Sequence, residues 1–522
     1  MPSITRIVLS NFKRLDGLEL KLSSDLNILL GDNEAGKSSV LLAIDLVLSA
    51  SQSKADGLGV ESLLPVHAVK SFMAGKRAFG DLPKLLAEVY LTNSGNPDYS
   101  GNNNSQRIEC DGLKMECEVP DDVSKQVVEL LEDPEAPFPY EYYATSFWTF
   151  AGQAYSGYKK HHVRHLVLDS SRIDSEHAAR EYTRSLYTMN TEPRERYKLE
   201  SDYRRNKEDF QTKRLGDLNS KISGYEFAVR TSMKSNLETD LVIHEDKVPL
   251  DLRGKGRQCL VKTEFALSRT TGNKLDVLLI EEPENHLSHT STRRLLERLS
   301  KPDGRQVLVA THSSLICSRL DLRKALLLGM APGSQAALSK LTPDTAEFFM
   351  KAPDNNVLEF ALSRKVILVE GDAEFILIDT LYSKHSGGST LEEDGVHVIS
   401  VGGTSFKRYL ELARLLVVKT AVIRDNDKDY QKNCVDNYAE YVMANARVFA
   451  DSDNARHTFE VCLYEDNRLL CDTHLGPGRK AISVQNYMLA NKADAAFELL
   501  KKAEKDMIAP AYIREAIAWI RQ

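Results

Sequence analysis

The sequence predicts an α/β protein with two sheet-centred domains, the first interrupted by a helical insertion. Three observations carry that prediction. The apolar stretch Leu26–Leu30 runs into a glycine loop and then a helical stretch from Ser38 to about Leu48. Apolar runs of strand length at 277–280, 307–310, 364–369, 396–401 and 420–424 alternate with helical stretches, which is the pattern of parallel sheets. Between the first strands and those that follow lies a charge-dense segment, 155–245, with helical propensity. At 522 residues the chain is too long for one hydrophobic core and fits about two to four domains. The expected division is 1–355 for the first domain, insertion included, and 356–522 for the second with its C-terminal helices.

The elements follow in order. Residues 4–9, 18–22 and 26–30 read as strands. Further strand-like runs, "LAEVYL", "RIEC" and "KMECEV", lie in 86–120. The polar loop among them, "TNSGNPDYSGNNNS", is expected to be an exposed tip. The 155–245 segment reads as a solvated helical arm; dimerisation and DNA contact are the sharper alternatives, and mixed charge alone does not choose. Its "KKHHVRH" at 159–165 is a basic spot whose histidines need no metal to explain them.

Composition bounds the rest. Hydrophobic residues at 42% and charged residues at 27% make an ordinary globular balance. A net charge of −7 excludes a chain that binds nucleic acid by overall basicity, so contact with phosphates needs a local patch or bound cations. Seven cysteines, an odd number with no CxxC, argue against a disulfide framework or structural zinc. The N-terminus has no apolar signal core, and no run approaches the ~18–20 apolar residues of a membrane span. A soluble cytoplasmic protein is expected.

"GDNEAGKS", Gly31–Ser38, satisfies GxxxxGK[ST] between a strand and a helix, the context that gives this motif its meaning. Gly31 and Gly36 permit tight backbone geometry, so N–H groups face phosphate oxygens, and the helix N-terminus adds its dipole. Lys37 reaches the β- and γ-phosphates and the Ser38 hydroxyl ligates Mg²⁺; Asn33 and Ser39 complete the nucleotide contacts. Downstream, "VLLIEEPENHL" delivers Glu281 and Glu282 to a strand end, one for the Mg²⁺ shell and one to orient water. His312 in "VATHSS" follows another strand and is placed to contact the γ-phosphate. Together these pieces resemble the ABC-type ATPase heads of the SMC and RecF-like group. That resemblance implies ATP sandwiched between two protomers with a signature "LSGGQ". The string is absent here; "LRGKGRQ" at 252–258, with Gly254, Gly256 and Gln258, is the nearest candidate, and Gln153 is the nearest to a Q-loop.

A second acidic constellation follows. "VILVEGDAE" places Glu370 just past an apolar strand, with Glu374 four residues on, in the first turn of a helix starting at Asp372. "AVIRDNDKD" places Asp425 and Asp427 after another strand, where i and i+2 side chains at extended spacing share a face. Clustered carboxylates repel, so hard divalent cations are their natural partners, and two such ions can clamp both oxygens of a phosphodiester. Either motif alone also fits an unremarkable acidic surface loop. In this order, with "ISVGGTSF" between them, they resemble a Toprim domain.

An ABC-type ATPase followed by Toprim is similar to the OLD (overcoming lysogenization defect) nuclease family. The likeness covers 1–50, 250–320 and the chain from about 360, and leaves 50–245 largely uncovered. It implies further residues: Thr458 and Glu460 of "HTFEVCLYE" beside the metals, and a late lysine supporting transition-state charge, Lys492 or, second, Lys480. The implied protein is an ATP-binding, Mg²⁺- or Mn²⁺-dependent DNA endonuclease, with two ions at the second site and one with ATP. Homodimers or larger assemblies, double-stranded DNA and antiphage defence beside a helicase or a retron reverse transcriptase are implied as well. The rival readings are a repair ATPase whose Toprim domain binds without cleaving, a topoisomerase- or primase-like activity, which lacks room for a partner domain carrying a nucleophilic tyrosine, and an ATP-switched scaffold.

Overall fold

The computed structural model describes residues 2–522 apart from 93, 157–162, 170–182, 185, 189–190, 223–224, 231–236, 268–274, 286, 300–303, 318, 330–334, 353–355, 479–481 and 504–505. Its contacts divide the chain into two units after His312, earlier than the expected boundary at 355.

The first unit holds two sheets. One is antiparallel: β1 (Ser3–Ser10) lies between β2 (Leu18–Lys21) and, past the parallel strand β3 (Leu26–Leu30) and helix α1 (Lys37–Ser49), the strand β4 (Leu85–Thr92). β4 continues to β5 (Cys110–Glu118), which also pairs with β6 (Ala144–Thr149). Alternation explains β1: Ile7 and Leu9 point inward and are buried. The polar loop after β4 corrects one expectation. It is exposed only in part: Gly95, Pro97, Asp98 and Asn102 are exposed, but Ser94, Tyr99 and Asn104 are buried, and Ser100–Gly101 adds a short strand to β5. Phe150 draws it in: Asn103 N–H donates to the Phe150 carbonyl at 2.9 Å, and a Cβ on Gly101 would stand 2.2 Å from that oxygen. "RIEC" and "KMECEV" likewise merge, from Cys110 onward, into the single strand β5.

The second sheet is parallel, in the order β3–β9–β8–β7, with β7 at His165–Asp169, β8 at Val277–Glu281 and β9 at Gln306–Ala310. Strand β7 lies inside the segment expected to be helical. Its apolar run, "LVL", is too short for periodicity to declare itself, and pairing with β8 decides its state. The described part of that segment does contain a long solvated helix, α2 (Pro193–Arg214), with no buried residue. Gln306 ties the two sheets together: its amide donates to the carbonyls of Ile4 and Ser23, 2.7 Å each, and its oxygen accepts from Ile4 N–H at 2.8 Å.

The second unit is built on a four-stranded parallel sheet. β10 (Lys365–Val369), β11 (Val396–Ser400), β12 (Lys419–Ile423) and β13 (Ala446–Phe449) stand in the order β11–β10–β12–β13. Helix α3 (Asp372–His385) links β10 to β11, and α4 (Phe406–Leu416) links β11 to β12. The chain leaves β10 toward one edge and returns on its other side. The crevice beyond the C-terminal ends of β10 and β12 is therefore the topological switch point, where α/β sheets bind ligands. Beneath it, Ile367, Val369, Ala373, Leu377 and Phe459 share a core with the C-terminal helix α7 (Ala511–Arg521). Two further helices matter to the site: α5 (Phe459–Asp466), and α6 (Lys492–Ala503), which packs on α3.

The described cysteines, Cys110, Cys117, Cys259, Cys434, Cys462 and Cys471, are free thiols. Among the described residues no helix is long and apolar enough to cross a membrane.

Candidate functional site

The first unit brings its motif residues to the C-terminal ends of β3, β8 and β9. Gly36 caps α1 at φ +96°, and a Cβ there would stand 2.5 Å from Leu15 Cδ2. Lys37 folds over the loop, its ammonium donating to the carbonyls of Gly31 at 2.7 Å and Asp32 at 2.9 Å. Burial pushes its pKa down, against the pull of Glu282, Asp32, Glu284 and Glu281. Ser38 and Asn33 are exposed, and Ser39 is half-buried.

Register sets Glu281 opposite Ala310, so the next residues on each strand meet. Glu282, at φ +45°, donates its N–H to Ala310 O at 2.8 Å. Its carboxylate lies 3.2 Å from His312 Nδ1 and accepts from Asn285 at 2.7 Å. Glu284 was not singled out by sequence, yet it binds the Thr311 hydroxyl at 2.6 Å and His312 N–H at 3.3 Å, and its Oε2 is buried without a donor. The signal was present in "EEPE": a third acid three residues beyond the first.

Among the looser readings, "LRGKGRQ" opens a helix at Lys255, where the Gly254 carbonyl accepts from Arg257 N at 2.9 Å and Gln258 N at 3.1 Å. Gln153 lies exposed in a turn. His161 and His162 fall outside the described residues; His165 stands 2.9 Å from the buried Asp45, which Lys54 also pairs.

The second unit converges more carboxylates. Glu370 follows β10 directly, and Glu374, 5% exposed, sits in the first turn of α3. Asp425, 6% exposed, follows β12 and accepts the Phe459 N–H at 2.7 Å, which fixes the start of α5. That helix delivers Glu460, 2% exposed, while Thr458 caps it by accepting Val461 N–H at 3.4 Å. From α6, Lys492 reaches Glu460 Oε2 at 3.1 Å and lies 4.0 Å from Asp425 Oδ2. Lys480 is outside the described residues.

The electrostatics follow from this crowding. Burial pushes Asp425 up to about 8, and Glu374, Glu370 and Glu460 push the same way against Lys492. Glu374 rises to about 7, from burial and then the charge of Glu460. Burial also raises Glu370, opposed by Arg424. Asp427 corrects an expectation. The extended i, i+2 spacing expected for Asp425 and Asp427 does not hold, because Asp427 enters φ +49°. Its half-exposed carboxylate instead accepts from Arg424 at 3.1 Å. The buried Arg424 also donates to Asp425 O at 3.0 Å and to the Tyr438 hydroxyl at 2.7 Å. Asn426 is a tie rather than a spacer: its amide donates to the carbonyls of Asp451 at 2.8 Å and Asp453 at 2.9 Å.

Among the described residues, no three His, Cys, Asp or Glu side chains already form a closed coordination set. The donor chemistry nevertheless suits hard cations. It is oxygen-only and anionic, and Glu370 Oε2 and Glu460 Oε1 are buried with no hydrogen-bond donor.

Comparison with known families fits this geometry. The profile described as "Overcoming lysogenization defect protein-like, TOPRIM domain" matches residues 362–427. An AAA ATPase domain profile matches 3–136, and an AAA domain profile matches 258–318. The chain carries an OLD-like Toprim domain behind an AAA-type ATPase domain. The Toprim match spans Glu370, Glu374, Asp425 and Asp427, and stops before Thr458, Glu460 and Lys492. The two ATPase matches flank the charge-dense insertion. No curated protein matches the chain. Solved structures similar to it include the C-terminal region of the Xanthomonas campestris pv. campestris OLD protein, 22% identical over 30% of this chain and 95% of that one, TM-score 0.24. The C-terminal region of the Burkholderia pseudomallei OLD protein is 21% identical over 31% and 98%, TM-score 0.24. The SMC head domain from Thermotoga maritima is 13% identical over 63% and 96%, TM-score 0.29.

Proposed function

We propose that this protein is an ATP-binding, divalent-metal-dependent DNA endonuclease. The observation that carries the reading is the set Glu370, Glu374, Asp425 and Glu460 at the switch point of the Toprim sheet, with Lys492 among them. Four crowded, largely buried carboxylates, of which Glu370, Glu374 and Asp425 are pushed up chiefly by burial, have little use as a structural feature and much use as cation ligands. Divalent ions, when bound, supply an activated water and neutralise the phosphodiester's charge. Glu370, Glu374, Asp425, Glu460 and the more exposed Asp427 would hold them, with Thr458 at the rim. Lys492, half-exposed beside Glu460, sets a cation where charge develops on the phosphate.

In the ATPase domain, Gly31–Ser39 cradles the nucleotide. Glu281 and Ser38 would hold a Mg²⁺ that neutralises phosphate charge, and Glu282, with His312 3.2 Å from its carboxylate, would orient water. This domain controls the nuclease centre of a homodimer or larger assembly. The OLD-like resemblance supports an antiphage role in the cytoplasm, with a partner such as a helicase or a retron reverse transcriptase.

The test is nicking and linearisation of supercoiled plasmid in Mg²⁺ or Mn²⁺, with and without ATP, beside Asp427→Ala and Lys37→Ala. Cleavage by the native chain that disappears in Asp427→Ala places the chemistry in the Toprim domain. Metal-dependent cleavage that survives in Asp427→Ala, or its absence from a folded, ATP-binding native chain, defeats the reading.

A further inference from the structure

On the other side of Glu370 from Asp425 lies a cavity of about 580 Å³, a size typical of small-ligand sites. Its walls combine three aromatic rings, Phe348, Phe375 and Tyr409, with the polar groups of Asp372, Ser400 and Ser405. We propose that this cavity is a nucleobase subsite, which stacks an unpaired base of the DNA strand against Phe375 beside the nuclease centre. The proposal rests on the nuclease reading and deepens it by naming what the site holds next to the phosphodiester.

The cavity and the carboxylate centre share a wall. Ser400 pairs with Val369, the residue before Glu370, and Val401 N–H donates to Val369 O at 2.9 Å. Gly403 N–H donates to the carbonyl of Glu370 itself at 3.0 Å. Asp372 and Phe375 lie on the first turn of α3 with Glu374 between them. Adjacent strand ends are about 5 Å apart, so a base entering here belongs to the nucleotide held at Glu370 or to its neighbour.

The chemistry of the lining selects the class of occupant. Phe375 is 48% exposed, although it sits on a helix whose apolar residues otherwise enter the core. A flat exposed ring beside a phosphodiester site is a stacking platform that accepts any base. Tyr409 is held behind the cavity, edge-on to Phe349 at 5.1 Å and Phe360 at 5.5 Å. Phe348 carries Arg408 over its face at 5.0 Å, which adds a cation near the strand. The Asp372 carboxylate accepts from exocyclic amino groups, and the two serine hydroxyls donate or accept. An aliphatic ligand would leave these polar groups without partners.

The experiment uses the full-length protein and a single-stranded oligonucleotide carrying 2-aminopurine, in Ca²⁺ to hold the DNA and in Mg²⁺ to cleave it. Phe375→Ala, Phe375→Trp and Asp372→Asn are compared with the native chain. The expected result is a 2-aminopurine fluorescence change on binding that Phe375→Ala loses and Phe375→Trp keeps. Phe375→Ala also raises KM for cleavage roughly tenfold, the scale of one lost base stack. A native chain that cleaves DNA but shows no 2-aminopurine response overturns the subsite and leaves the nuclease reading standing. A Phe375-dependent response without cleavage overturns the nuclease reading and leaves a nucleic-acid subsite. A response identical in Phe375→Ala and native protein also overturns the proposal.

Discussion

Lys492 and the carboxylates around it make the sharpest statements at the residue scale. The Lys492 side chain is 51% exposed yet points at Glu460, whose own side chain is 3% exposed. A lysine free to extend into water that instead meets a buried acid is positioned by that acid. Replacing it with methionine keeps the stem and removes the charge, so cleavage should fall about 10²-fold, as when one donor to a developing anion is lost. Lys492→Arg should recover part of that loss, and circular dichroism in Mg²⁺ should show the fold intact. The pH dependence runs in a definite direction. Glu374 and Asp425 titrate near 7 and 8 in the folded, metal-free chain, against about 4 when unfolded. Between those values the native state binds more protons than the unfolded state, so metal-free stability falls as pH rises from about 4 to 8 and then levels. A bound cation needs the deprotonated carboxylates and opposes this loss. Thermal scans should therefore show a larger Mg²⁺-induced rise in Tm at pH 8 than at pH 6. An equal rise at both would show that the carboxylates are already ionised at pH 6.

The loop after β12 shows at the element scale how a strand end becomes a site. Asn426 is 1% exposed and ties the residues carrying Asp425 and Asp427 to the segment 451–456 that leads into α5. Its oxygen meanwhile accepts Lys428 N–H at 2.9 Å, so donor and acceptor are both used. Asn426→Ala should lower the unfolding free energy of the Toprim domain by about 1–3 kcal/mol, the cost of stranding buried carbonyls, and should abolish cleavage. Asn426→Asp should do no better, because a carboxylate cannot donate to Asp451 O and Asp453 O. Denaturant unfolding beside plasmid cleavage reads both. This element also marks how far the sequence was legible. Glu370 and Asp425 could be found because each lies within two residues of the end of an apolar strand, and Glu374 because it opens the helix that follows the first of them; a parallel sheet brings such ends together. The direction of Asp427 could not, since it depends on a left-handed turn that Arg424 and the 451–457 segment impose from a distance. Strand β7 escaped for a related reason: three apolar residues in a charged stretch become a strand only through their pairing with β8. The glycine loop before α1 was legible throughout, because its geometry is local to Gly31–Ser38.

At the scale of the whole molecule, charge constrains the proposed engagement of DNA. The chain carries a net charge of −7, and its Toprim centre gathers carboxylates where the proposed phosphodiester would sit. Without cations that centre repels the backbone it is proposed to cut. Basic proteins gain affinity by releasing counterions from DNA, whereas here the cations must arrive on the protein's side. DNA affinity should therefore depend on divalent metal more steeply than local basic residues such as Lys407 and Arg408 would require. In Ca²⁺, which supports binding with little turnover, fluorescence anisotropy of a labelled duplex should report an affinity at least about tenfold above that in EDTA. Asp425→Asn, which removes one ligand and one negative charge, separates two causes. If metal mediates the contact, the variant loses the Ca²⁺-dependent gain. If the acids merely repel DNA, the variant binds more tightly in EDTA and the gain shrinks from the other side. Lys37→Ala, confined to the ATPase domain, should leave the Ca²⁺ effect unchanged in the absence of ATP, so any change there would mean that the P-loop itself contributes to DNA binding.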